Sequence, residues 1–74
     1  MINNKELKKQ LKENIKLAKR LIKTIEIAKK HGTNESVFYF ITPNAARVAA
    51  IIKNRYGIKS IVSDCEIAIR TKDV

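Results

Sequence analysis

The sequence predicts a small two-layer α+β domain, and three observations predict it. From Lys5 to His31 there is no Pro or Gly, and the apolar residues recur at helical spacing. The block Val37-Phe38-Tyr39-Phe40-Ile41 is β-branched or aromatic throughout and too short for a helix. The stretch from Glu66 to Thr71 alternates polar and apolar residues, as a strand with one wet face does.

Taken in order, residues 1–4 form a short polar start in which Asn3 or Asn4 can cap the first helix. That helix is expected over 5–31, with Gly32 as the residue that ends it. Thr33 to Ser36 read as a loop, and Val37 to Ile41 as a buried strand. Thr42-Pro43 signals a second helix, since Thr is a capping residue and Pro suits the first helical position. This helix is expected to reach Tyr56 and stop at Gly57. Its residues Ala45, Val48, Ala49, Ile52 and Tyr56 share one face. Ile58 to Val62 reads as a strand, joined by a tight turn at Ser63-Asp64 or Asp64-Cys65 to the last strand.

The expected order is therefore helix-strand-helix-strand-strand, with residues 37–71 as a strand-helix-strand-strand unit behind the long amphipathic helix. A strand-helix-strand unit ordinarily makes a right-handed crossover between parallel strands. With a hairpin added, the expectation is a three-stranded mixed sheet. The whole chain, 1–74, reads as a single domain.

Size limits what this fold can do alone. At 74 residues, area scaling gives roughly 4,600 Å² exposed when folded and about 60% of the unfolded surface buried. A helix over 5–31 is about 40 Å long, whereas a compact chain of this size has a diameter near ~29 Å. The helix is expected to overhang its own globule and to need another surface. Leu11, Ile15, Ala18, Ile22 and Ile25 offer a heptad-like seam for a homodimer.

Composition excludes several function classes. No apolar run reaches the roughly 18–20 residues of a membrane span, and the first residues lack an apolar signal region. A soluble cytoplasmic chain is the expectation. The only cysteine, Cys65, and the only histidine, His31, cannot build a structural zinc site. The two glycines, Gly32 and Gly57, make no phosphate-binding loop. Asp64 and Glu66 alone do not make an acid–base pair, and an acidic neighbourhood lowers the reactivity expected of the thiol between them. The expectation is a non-enzyme with no cofactor and no metal.

Charge is the informative feature. The net charge is +9, from 16 Lys and Arg against 7 Asp and Glu. The chain holds 12 Lys and 12 Ile but only 4 Arg and 4 Leu, a skew that AT-rich coding also produces. The arrangement of the charge therefore matters more than its total. Residues 5–31 carry ten Lys and Arg against three Glu, a net of +7, which leaves +2 for 32–74. At 100° per residue, Leu7, Leu11, Ile15, Ala18, Leu21, Ile22, Ile25 and Ala28 fall on one side. Lys5, Lys9, Lys12, Lys16, Lys19, Arg20, Lys23 and Lys30 fall on the other.

Like charges three or four positions apart cost a helix a few tenths of a kcal/mol per pair. An anionic surface relieves that repulsion, and Lys5 to Lys23 span about 27 Å. The expected function is nucleic-acid binding, to DNA or RNA, through the phosphate backbone and with weak sequence preference. Lys5, Lys9, Lys12, Lys16, Lys19, Arg20 and Lys23 are its expected contacts, extended by Arg47 and Arg55 on the second helix. Tyr39 is a candidate for stacking on bases. Ile27 stands out as a large apolar residue on the cationic side.

The alternative is a regulator or inhibitor of the kind that phages and other mobile elements carry, docking on an acidic host protein that handles nucleic acid. A membrane-surface role is disfavoured, because the strands and second helix need the apolar face of the first helix for a core.

The final strand Glu66-Ile67-Ala68-Ile69-Arg70-Thr71-Lys72, with the helix and strand before it, resembles the layout of the Alba-type chromatin proteins. That resemblance implies a basic dimer that binds DNA or RNA. The chain departs from that plan in lacking its first strand, the lysine-bearing loop after it and its long hairpin arm. The likeness is of layout and assigns no residue a role.

Overall fold

The computed structural model describes residues 4–74. Helix α1 spans Asn4–Lys30, strand β1 Val37–Ile41, helix α2 Ala45–Tyr56, strand β2 Ile61–Ser63 and strand β3 Glu66–Arg70, with a closing 3-10 turn at Thr71–Asp73. The α+β class and the long amino-terminal helix are as the sequence predicts. Asn4 is the first helical residue described, and the alternative cap, Asn3, lies outside the described residues.

Gly32 ends α1 through a left-handed φ of 93°. The Gly32 N–H donates to Lys29 O at 3.1 Å and the Thr33 N–H to Ala28 O at 3.0 Å. This is the Schellman arrangement, which satisfies carbonyls the helix end would otherwise orphan. Gly57 ends α2 in the same backbone region, φ 67°, and donates to Lys53 O. The start of α2 differs from expectation by two residues. Thr42 Oγ1 accepts the Asn44 N–H at 3.4 Å and closes a local turn over Pro43, so the first helical residue is Ala45. The Thr42 N–H is already committed to Cys65 O at 2.7 Å, which extends the β1–β3 ladder and holds Thr42 out of the helix.

The sheet corrects the expected topology. Its order is β1-β3-β2, and both pairings are antiparallel. β1 and β2 do run in the same direction, but β3 lies between them, so the sheet is antiparallel rather than mixed. Burial explains the order. Ile67 and Ile69 of β3 are fully buried, while all three residues of β2 are exposed. The strand that carries the two fully buried isoleucines takes the centre, and the short exposed one takes an edge. Ile58, expected inside a strand, is a buried anchor in the loop before β2. The hairpin turn is Asp64-Cys65, with Asp64 at φ 50°.

Both helices cover one face of the sheet. Ala18, Leu21, Ile22 and Ile25 of α1 join Ala45, Val48 and Ile52 of α2 and Ile67 and Ile69 of β3 in one core. Phe38 and Phe40 pack against it, with their rings stacked 6.2 Å apart. This packing corrects the expected dimer seam. Ala18, Ile22 and Ile25 are buried inside the protomer and have no face to offer a second helix.

The overhang is present. The molecule measures 45 × 21 × 18 Å, and α1 has no buried residue before Asn14. Leu7 and Leu11 continue its apolar side but remain 43% and 53% exposed. The accessible surface is 5714 Å², about 1,100 Å² above that expected of a compact chain of this mass.

One polar clasp closes the fold. Thr71 is fully buried, and its Oγ1 accepts the Ser36 N–H at 3.0 Å while donating to Ser36 O at 3.2 Å. The Thr71 N–H also donates to Ser36 O, at 2.9 Å. Thr71→Val keeps the volume but leaves the Ser36 N–H without its acceptor. The expected cost is about 1–3 kcal/mol, read as a lower urea midpoint with an unchanged m-value. A midpoint equal to wild type would show that water replaces the clasp without penalty.

Candidate nucleic-acid interface

The interface is built on α1, whose two sides the core separates. Its buried residues all lie on one side, and the cationic residues follow from the remaining positions of the 3.6-residue turn. Lys5, Lys9, Lys12, Lys16, Lys19, Arg20, Lys23 and Lys30 are all exposed. Lys9, Lys12, Lys16 and Lys19 border one open depression, shared with Ile15 and Glu13. Among the described residues, no ion pair within 4.0 Å involves these cations; Arg70 with Asp73, at 2.9 Å, is a pair elsewhere. The row therefore keeps its mutual repulsion in the free protein, on a helix long enough to hold the charges in line.

Lys29 behaves differently. It turns to the core side, where its Nζ donates to Val74 O, and so ties α1 to the end of the chain.

The second-helix arginines do not join the row. Arg47 Nη1 reaches Gln10 Oε1 at 3.5 Å. Gln10 lies roughly 120° around α1 from the centre of the lysine row, by 100° per residue. Arg47 instead borders an apolar groove with Leu7, Leu11, Asn14, Ala50 and Ile51. Arg55 is exposed in the last turn of α2, and among the described residues no ion pair or side-chain hydrogen bond joins it to α1.

Tyr39 is 63% exposed on the sheet face away from the helices, where Ala68 is its cross-strand neighbour. Ile27 is 49% exposed among the cations. Cys65 is exposed in the hairpin turn, and His31 is exposed just past the end of α1. Among the described residues, no three His, Cys, Asp or Glu side chains gather as metal ligands do. No helix among them is long and apolar enough to cross a membrane.

β1, expected as a buried strand, has no fully buried residue and exposes alternate positions. Val37, Tyr39, Ile41 and Ile61 are 43%, 63%, 83% and 71% exposed, and β1 and β2 carry them on the same outer face of the sheet. The uninterrupted apolar run of β1 was the available signal, because a strand with only one covered face needs apolar residues at alternate positions alone. Comparison with protein families, curated protein sequences and solved structures finds no match to this chain.

Proposed function

We propose that the protein is a non-enzymatic nucleic-acid-binding module that grips the phosphate backbone with the cationic side of α1. The observation that carries this reading is the line of exposed cations from Lys5 to Lys23 on an unbroken helix, with no ion pair given to them among the described residues. Its length, about 27 Å, suits a run of phosphates. Bringing phosphates alongside removes the like-charge repulsion within the row and releases condensed counterions.

Lysine supplies all but one of the row's charges between Lys5 and Lys23. Its ammonium is a point charge without the planar fork that lets arginine read guanine edges. Affinity should thus depend strongly on salt and weakly on sequence. With four to six phosphates neutralised, the slope of log K against log salt on duplex DNA should be roughly −4 to −5.

Fluorescence anisotropy with labelled duplex and single strands of scrambled sequence, at several ionic strengths, measures this slope. Tight binding with little response to salt would overturn the reading. A pull-down partner that survives nuclease treatment at fixed stoichiometry would assign the row to an acidic protein surface instead.

A further inference from the structure

We infer that the outer face of the sheet is the seat of a second copy of this chain, giving a twofold homodimer whose lysine rows point in opposite directions. The sheet has helices on one face only, and the other presents three ordered rows. Tyr39, Ala68 and Ile61 form the middle row. Val37 beside Arg70 lies toward one end of the strands, and Ile41, Glu66 and Ser63 lie toward the other.

The charges on this face select the partner. β3 is the central strand, and its two outward charges, Glu66 and Arg70, lie equally far on either side of Ala68. A twofold axis crossing the strands over Ala68 sets Arg70 of each copy opposite Glu66 of the other. It also stacks Tyr39 on Tyr39, Ile61 on Ile61, and Val37 on Ile41. The other face-to-face twofold, along the strands, sets Arg70 against Arg70 and Glu66 against Glu66 and is repulsive. The face is therefore complementary to itself in one orientation, as an isologous interface requires. Arg70 already holds Asp73 through Nε at 2.9 Å, which leaves its other guanidinium N–H groups for a second carboxylate.

The area is sufficient. Covering Val37, Tyr39, Ile41 and Ile61 in both copies removes on the order of 1,000 Å² from water. Ala68, Ser63, Glu66 and Arg70 bring the total to about the 1,200 Å² low end of specific interfaces. Dimerising through α1 would instead crowd two cationic rods together. Through the sheet, the rods lie outermost, with their rows on the order of 40 Å apart on opposite sides. Such a dimer bridges two nucleic-acid segments. The bridging rests on the function proposed above, whereas the dimer does not.

Sedimentation equilibrium without nucleic acid tests the dimer. Wild type at tens of micromolar is expected at twice the chain mass. Ile61→Lys and Arg70→Glu are expected to be monomeric with unchanged far-UV circular dichroism. The exchange Glu66→Arg with Arg70→Glu is expected to restore the dimer. A monomeric wild type overturns the inference, as does a dimer that neither single change breaks. A monomer that loses single-strand binding on Tyr39→Ala gives the face to bases and overturns it too. Energy transfer between two differently labelled duplexes then reads bridging, expected for wild type and absent for Ile61→Lys at full duplex occupancy. A dimer that binds no duplex would leave this interface standing and refute the nucleic-acid reading alone.

Discussion

Reversing three charges together, Lys12→Glu, Lys16→Glu and Lys19→Glu, is expected to lower duplex affinity on the order of 10²–10³-fold at ~0.1 M salt. Each phosphate contact contributes close to one unit of salt slope, so losing three removes nearly three decades at that ionic strength. The residual slope should fall to roughly −1 to −2. The fold should survive, because all three side chains are exposed on the side of α1 away from the core. Surface changes of this kind usually stay within about 0.5 kcal/mol each, and the thermal midpoint should confirm it. A matched triple reversal at Lys53, Lys59 and Lys72, all exposed outside α1, should cost far less affinity. Equal losses in the two variants would mean that net charge, and not the row, drives binding.

The second large effect is on stability. Ile25→Ala is expected to cost about 2–5 kcal/mol. Ile25 is fully buried in α1, within the cluster that joins both helices to β3. Removing three carbons there leaves a cavity within that close-packed cluster, which refills it only in part. A domain of this length holds only about 4–11 kcal/mol in total, so the loss is a large share. The midpoint should drop by on the order of 10–40 °C. Ile27→Ala makes the same chemical change two positions away, at a residue 49% exposed on the cationic side. It should move the midpoint by no more than a few degrees. Comparable drops for the two variants would mean that α1 is rotated from the orientation described.

Much of this was legible in the sequence, for reasons that are themselves physical. Helical spacing over 5–31 separates the two sides of α1 before any tertiary contact is known, and the exposed row follows from it directly. Gly32 and Gly57 mark helix ends because each adopts a positive φ there. The alternation of Ile67 and Ile69 with Glu66, Ala68 and Arg70 identifies the covered face of β3.

Strand order was not legible, because the crossover rule concerns β1 and β2 alone. The later hairpin decides which strand sits between them, and Ile67 and Ile69 prevail over the exposed Ile61-Val62-Ser63. The start of α2 is not legible because Thr42 serves the sheet through its N–H as well as the turn through its hydroxyl. Leu7 and Leu11 have the right phase for the core but lie beyond its reach, and phase carries no information on where a globule ends. The place of Arg47 is likewise beyond the sequence, because its contact with Gln10 depends on how α2 crosses α1.

A nuclear magnetic resonance titration of isotope-labelled protein with a short duplex locates the binding surface residue by residue. The largest shifts are expected on Lys9, Lys12, Lys16, Lys19, Arg20 and Lys23, and they should fade as salt is raised. Shifts confined to Tyr39 and its neighbours on the sheet, or none at duplex concentrations that saturate the anisotropy signal, would contradict the proposed role of α1.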